Sequence, residues 1–477
     1  MNWIFRRACG LRVTGAYLAL GCSLLSGCAH YEPAPLEPAE TLNTLEARTL
    51  DDPRLRTFVE ASLGPERAIQ SRSWDLAALT AAAVYYHPDI ELAQSRFQGA
   101  QAALVTARQL PNPTLALNAS FSPSTVSPAI DFLLETFGRR EYRAARAEAL
   151  IDAARQDVVT AIWQVRGRVR TAWLALWAAE RRVVLQNERL TKQEQLVGLL
   201  ERRLAEGMAS ALDVARERVN RDQVSLAIRD AEAQRDTARA ELASAVGVSL
   251  GALDGVTFSF GAFERGPNVP RPETVAALSR QALLERPEIR GLLAEHAAAD
   301  AALRLEIARQ FPALQLGVGY NYEFGVDEYE PSVAIAAELP VLNRNQGPIA
   351  EAEAGRRAAA AQLTALQAAI LGAIDSALQS YDAATRTLTT AEALRVAARD
   401  RGDRVSRAFA AGAVNRVALV SVQLEVALAE LSSFDAELRL YAALGALEDA
   451  LQQPLFEPNA NFFVSETGAI TTQAGVP

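Results

Sequence analysis

The chain repeats itself, and that duplication limits its possible folds more than any other feature. His87-Pro88-Asp89-Ile90 returns as Arg286-Pro287-Glu288-Ile289, and Ala107-Arg108-Gln109-Leu110-Pro111 as Ala308-Arg309-Gln310-Phe311-Pro312. Leu204-Ala205-Glu206-Gly207 returns as Phe409-Ala410-Ala411-Gly412. The offsets between first residues are 199, 201 and 205. Three motifs kept in order and spacing mark an internal repeat, so each half carries the same supersecondary unit.

Each half begins with a helix, predicted from about Leu76 to Gln109 and again from about Val275 to Gln310, and Pro111 and Pro312 end them. The period then changes to two. Leu314, Leu316, Val318, Tyr320, Tyr322 and Phe324 alternate with Gln315, Gly317, Gly319, Asn321 and Glu323, and Val333, Ile335, Ala337 and Leu339 alternate with small or polar residues. That is a hairpin with one apolar face. The first half repeats it less cleanly, with Leu115, Leu117, Ala119 and Phe121 in one strand, Ile130, Phe132 and Leu134 in another, and a Ser/Pro loop between. Strands of about 8 to 11 residues are long enough to cross a bilayer when tilted. A sheet packed on a soluble core is the alternative. The Gln, Asn, Glu and Gly of the second face suit a wet lumen better, and Tyr320, Tyr322, Tyr329 and Phe324 gather toward one end. Four strands cannot close a barrel, and open edges in lipid leave backbone groups unpaired at several kcal/mol each. The chain must therefore pool strands with copies of itself; the pattern alone leaves two or three copies open.

A very long helical stretch follows each strand pair, about Arg139 to Glu206 and about Pro348 to Ala411. At 1.5 Å per residue these reach roughly 100 Å. Ile162, Val165, Val169, Trp173 and Leu176 in the first, and Leu363, Leu366, Ile370, Ile374, Ala377 and Tyr381 in the second, recur at three and four, the spacing of coiled-coil packing. Gly207 and Gly412 break the stretches, and return helices are predicted over about Ala211–Val246 and Val417–Gln452. Each half thus makes a long antiparallel hairpin whose tip points away from the strands.

The start of the chain gives the compartment. Arg6, Arg7 and Arg12 precede an apolar stretch from Val13 to Leu25, too short for a spanning helix and typical of a secretory signal. Leu25-Ser26-Gly27-Cys28 resembles a bacterial lipobox, in which Cys28 would be lipidated; an ordinary signal with a chance cysteine is the alternative. A lipid adds membrane affinity of about 0.8 kcal/mol per buried CH₂. Cys9 and Cys22 lie inside the signal, which leaves no disulfide, no thiolate metal site and no expected cofactor beyond the covalent lipid. The formal charge of −9 becomes −12 without the signal arginines. An acidic chain with no basic stripe argues against nucleic acid. No later run of 18 apolar residues was found, so insertion is expected through strands. His30, His87 and His296 are far apart without acids at ligand spacing, and no phosphate loop or nucleophile elbow occurs, so no enzyme is expected. The division reads as signal peptide 1–27, lipidated linker 28–74, first repeat 75–250, linker 251–272, second repeat 273–453 and polar tail 454–477.

Over residues 75–453 the chain resembles the TolC family of outer-membrane efflux proteins. The resemblance rests on the duplicated helix-strand-strand-helix order, the Ala-Arg-Gln-x-Pro approaches to the strands and the tip glycines. Glu135-Thr136-Phe137-Gly138-Arg139-Arg140 and Leu339-Pro340-Val341-Leu342-Asn343-Arg344-Asn345-Gln346-Gly347 look like strand-to-helix junctions of its heavy-metal, CzcC-like branch. The resemblance implies a mainly α fold with a membrane β-barrel: a homotrimer with a twelve-stranded barrel and a periplasmic α-helical barrel. It implies a passive duct in the outer membrane, served by a periplasmic adaptor and an inner-membrane transporter of the resistance-nodulation-division class. An exit duct for type I protein secretion is the alternative. A periplasmic adaptor is a further one, although two hairpins on two strand pairs suit the duct better. The family gates the tunnel at its tips, with aspartates six and nine residues after the second tip glycine; Ala418 and Ser421 stand there instead. Asp213 fits the six-residue place in the first repeat. Phe409 stands where the family has a tyrosine, and Val414 where it has an arginine, with Arg416 two positions on. Asp213, Arg416 and Phe409 are therefore the gate candidates.

Overall fold

The computed structural model describes residues 30–63, 73–264 and 272–455, in two compact units divided after Ala47. The predicted signal peptide and Cys28 lie outside the described residues, as does most of the predicted tail. Among its described residues the first unit contributes one helix, α1 (Pro38–Glu46). In the second, α2 (Pro53–Leu63) buries Leu55 and Val59. Within the segment expected as a linker, residues 28–74, these two helices form because prolines at the start of each preset the first turn, and Leu55 and Val59, four apart, give α2 an inward face. Arg48 ties this strap down by donating to the carbonyls of Tyr86 at 2.6 Å and Gly247 at 3.1 Å.

The helix predicted over Leu76 to Gln109 is two helices, α3 (Leu76–Tyr86) and α4 (Pro88–Arg108), following the two-residue strand β1 (Ser73–Trp74). Pro88 has no N–H, and its ring holds His87 in extended backbone with ψ 126°. His87 then caps α4, its Nδ1 accepting from the Asp89 N–H at 3.1 Å. After α4 come the strand pair β2 (Thr114–Phe121) and β3 (Ser124–Leu134), and then the long helices α5 (Arg139–Ala205) and α6 (Ala211–Val246).

The 251–272 segment is likewise more than a linker. It supplies β4 (Thr257–Phe258), parallel to β1, and a short helix α7 (Gly261–Glu264). Phe263 is buried among Trp173, Trp177 and Tyr441, with ring centroids 4.7, 4.8 and 4.8 Å away. Aromatic burial of this kind anchors a core. Here it joins the two repeats, since Tyr441 of the second shares one cluster with α3, Ile162, Val165, Val169 and Leu242 of the first.

The second repeat follows the first: α8 (Pro272–Glu285) and α9 (Pro287–Ala308), broken at Arg286, then β5 (Leu314–Glu323) and β6 (Glu328–Ala337), then α10 (Gln346–Ala410) and α11 (Arg416–Leu451). The four long helices begin and end within two residues of their expected limits. By length and composition α10 and α11 could cross a membrane, with best 18-residue windows of mean hydropathy 1.3 and 1.5. Alanine and leucine carry both windows without forming an unbroken apolar run. Arg399–Glu430 and Arg401–Glu425 pairs, each at 2.7 Å, bind the two helices to one another instead.

Packing interleaves the repeats. Toward the tips the helices lie in the order α6-α5-α11-α10, and on the strand side α4-α5-α9-α10. The α5–α11 contact contains a buried ionic cluster. Glu448 accepts from Arg166 at 3.1 Å and Arg170 at 2.8 Å, and Arg170 also reaches Asp449 at 2.5 Å.

Candidate functional site

The four long strands form one antiparallel sheet in the order β2-β3-β5-β6. Its register lines up like with like: Leu115, Ile130, Val318 and Val333 lie in one row, and Phe132, Leu316 and Ile335 in another. The Ser/Pro stretch expected as a loop belongs largely to β3. Only Ser122 and Pro123 turn the chain, because Pro128 sits opposite Leu117 on the apolar face and continues the strand. Among the described residues that face stays open, with Leu117 68% exposed and Val333 71%. The other face carries Asn118, Ser127, Asp131, Gln315, Asn321 and Ser332, and Ser127 bonds Asn321 across strands at 2.6 Å.

Glycines reveal which way the sheet bends. A Cβ on Gly317 would overlap the Asp131 carboxylate, and one on Gly319 would overlap the Pro128 carbonyl and lie 2.8 Å from the Ala129 Cβ. Crowding of this kind falls on a concave face, where side chains of neighbouring strands converge. The polar face is therefore inside and the apolar face outside. β2 and β6 are the edges, so one chain leaves two rows of backbone groups without a strand partner.

The two junction motifs do mechanical work. Phe137 (φ 59°), Gly138 (φ 74°) and Asn345 (φ 60°) take left-handed backbone as the chain leaves the sheet. Asn345 donates to the Glu306 carbonyl at 2.7 Å, and its N–H reaches Asn343 Oδ1 at 2.9 Å. Arg143 bonds Glu135 at 2.5 Å and donates to the carbonyls of Ala107 and Gln109 at the end of α4. Phe137 stacks on Phe311 at 4.2 Å, joining the first repeat to the second.

At the far end the two tips share one geometry. Gly207 (φ 72°) and Gly412 (φ 75°) end α5 and α10 in left-handed backbone. The following N–H groups of Met208 and Ala413 reach back to Arg203 and Ala408 at 2.7 and 2.9 Å, a Schellman closure. Ser210 and Asn415 then cap α6 and α11 by accepting from Leu212 and Ala418 at 3.1 and 2.9 Å. Asp213 and Arg416 are exposed in the first turns of those helices. Among the described residues of one chain they form no ion pair with each other, because α5 lies between their helices. Phe409 is partly exposed beside its glycine. Sequence reasoning missed two groups: the buried Arg166–Arg170–Glu448 cluster, which two arginines four apart on an apolar helix face could have signalled, and a partly buried contact between Gln193 and Glu217 at 2.6 Å.

The repeated His87 and Arg286 elbows face one open cleft of about 880 Å³, shared with Arg168, Glu241 and Asp449. Burial, with the Arg168 charge beside it, holds His87 below its ordinary imidazole range. Arg168 bonds Asp89 at 2.6 Å and holds that carboxyl low. Among the described residues no three His, Cys, Asp or Glu side chains gather to hold a metal ion.

A family model described as outer membrane efflux protein matches residues 81–248 and 278–452. The chain belongs to that family. It is 24% identical over 262 residues to the cobalt-zinc-cadmium resistance protein CzcC of Cupriavidus metallidurans, a match covering 54% of this chain and 61% of that relative's length. Its fold is similar to that of a membrane protein from Pseudomonas aeruginosa, with TM-score 0.65, 20% identity, and coverage of 90% of this chain and 99% of the other. It also resembles the outer membrane protein VceC of Vibrio cholerae, with TM-score 0.63, 18% identity, and coverage of 79% and 95%. A family of outer membrane efflux proteins accounts for a sheet that is apolar outside and polar within.

Proposed function

We propose that this efflux protein is the passive outer-membrane duct of a tripartite pump, assembled from three copies. One observation carries the reading: the sheet and both helical layers leave a first-repeat element at one edge (β2, α4, α6) and a second-repeat element at the other (β6, α10). A single join, first repeat of one copy to second repeat of the next, would close all three layers at once. Two copies would give eight strands, a barrel that side chains fill, whereas twelve leave an aqueous lumen. The tips would then meet a periplasmic adaptor, with an inner-membrane transporter of the resistance-nodulation-division class as the energy source. A duct for type I protein secretion would share this architecture.

Divalent metal cations are the proposed cargo, on the similarity to a cobalt-zinc-cadmium resistance protein. Cys28 is the proposed lipid anchor, and the mass of the mature N-terminal peptide reads it directly; an unmodified Cys28 removes the anchor. Asp213 of one copy and Arg416 of another are proposed to close the tips. Unchanged single-channel conductance in Asp213→Arg would exclude that contact. The cargo is tested by growth of a deletion strain on cobalt, zinc and cadmium and on a panel of antibiotics and dyes. Sensitivity confined to metals is expected. Sensitivity confined to organic compounds overturns the metal cargo but keeps the duct, and growth unaffected by either overturns efflux.

A further inference from the structure

The two segments that build the sheet, residues 109–138 and 310–343, contain no lysine or arginine. At the end of the sheet far from the helices the charges are acidic: Glu323, Asp327, Glu328 and Glu330 stand at and around the β5–β6 turn. The helix-side end is the reverse. Within ten residues of the four strand ends there, the chain has seven arginines against four glutamates, with no lysine or aspartate.

Local folding accounts for part of this. Arg139 donates to the Phe311 carbonyl, Arg140 to that of Arg108 at 2.8 Å, and Arg143 to those of Ala107 and Gln109, around the C-terminal ends of α4 and α9, where cations are favoured. Arg108 and Arg309 each meet an acid, Glu148 and Glu306. The innermost acids lie deeper than their partners: Glu135 and Glu306 are 12% and 17% exposed, Arg143 and Arg309 31% and 51%. Two arginines stay open. Arg140 donates only through Nε among the described residues, and the exposed Arg344 side chain has no partner among them. Hydrocarbon is exposed at the same level, in Leu110, Leu339, Val341 and Leu342, the last at 95%. Arginines set among exposed aliphatic residues suit the boundary between acyl chains and headgroups, with stems in hydrocarbon and guanidinium groups at the phosphates.

We propose that this collar binds anionic phospholipid headgroups of the leaflet nearest the helices, with Arg140 and Arg344, one from each repeat, as the phosphate-binding residues. A guanidinium fork matches two phosphate oxygens. A headgroup of net negative charge is favoured over a zwitterionic one, whose ammonium offsets its own phosphate. The acidic far end repels the same headgroups, so one end of the sheet carries the site. The inference rests on the duct reading above, which places the sheet in a bilayer.

In the test, the full-length assembly in detergent is given phosphatidylglycerol, phosphatidylethanolamine and lipopolysaccharide together, and native mass spectrometry counts what is retained. Single-channel recording in bilayers of phosphatidylethanolamine alone tests the duct separately. The wild type should retain phosphatidylglycerol over phosphatidylethanolamine, and less so at high salt. Each arginine at a membrane surface contributes about fivefold to holding an anionic lipid. Arg140→Gln/Arg344→Gln should therefore lower the preference at least about tenfold. Arg229→Gln/Arg386→Gln, which removes two exposed charges along the hairpins, should leave it unchanged. Equal retention of the two phospholipids by the wild type, or equal losses in both variants, overturns the collar, while pores keep the duct. Loss of lipopolysaccharide rather than phosphatidylglycerol from the first variant overturns the choice of headgroup. A wild type without pores removes the duct reading and the collar with it.

Discussion

Gly207 and Gly412 end their helices in the same left-handed backbone, and Ser210 and Asn415 cap the helices that follow. Further along the same hairpins Gln193 meets Glu217 in one, where the other has Ala398 and Val422. At the roots Arg166 and Arg170 enclose Glu448, while the counterparts of those three residues are Leu371, Asp375 and Ala243. The duplicated backbone has been kept where local geometry demands it, at the turns and caps. The faces diverged because each repeat meets different neighbours: α5 is covered on both sides, and α6 and α10 are edges.

The largest expected effect lies at the roots. Glu448→Ala removes the carboxylate shared by two buried guanidinium groups, and breaking such a pair costs about 3–5 kcal/mol. Denaturant unfolding of the purified protein measures it, and a loss below about 1 kcal/mol would erase the distinction between the buried α5–α11 seam and the edges. The tips should behave alike. An alanine at Gly207 or Gly412 meets nothing within 4 Å, so only left-handed strain remains, about 1–2 kcal/mol. Thermal unfolding should show equal shifts for Gly207→Ala and Gly412→Ala, and unequal ones would mean that the two left-handed turns carry different strain.

The smallest effect concerns the elbows. The folded His87 value is depressed below 6.5. Its neutral form therefore contributes stability that is complete above pH 6.5 and lost as pH falls through the lowered value. Arg48, Arg168 and Asp89 are the charges that act on it. At the second elbow Arg286 stands where the first has the imidazole. A His87→Gln variant should flatten the stability profile between pH 5 and 7 (about the range where imidazole titrates), and an unchanged slope would assign the pH dependence elsewhere.

Much of this was legible in the sequence because it depends on local periods. Strand faces follow from alternation, and Gly207 and Gly412 mark the tips by themselves. Pro88 and Pro287 also announced the elbows, although the apolar pattern runs on past both. What stayed hidden depends on neighbours far along the chain. Phe258, Phe260 and Phe263 show no period because a two-residue strand, its connection and a four-residue helix carry them into the core. Arg166 and Arg170 gain their partner only when Glu448, 282 and 278 residues away, is brought against them. Nothing local marks Gln193 and Glu217 as partners, because a heptad seam tolerates an occasional polar position.

The most direct test is of the sheet's two faces in the outer membrane. Single cysteines replace Ser332, Val333, Ala334 and Ile335, neighbours along β6, in a chain otherwise lacking reactive thiols, and a membrane-impermeant maleimide is added. Labelling at Ser332→Cys and Ala334→Cys, with Val333→Cys and Ile335→Cys protected, is the expected result for a polar lumen and a lipid-facing wall. Equal labelling at all four, or the opposite alternation, would contradict it.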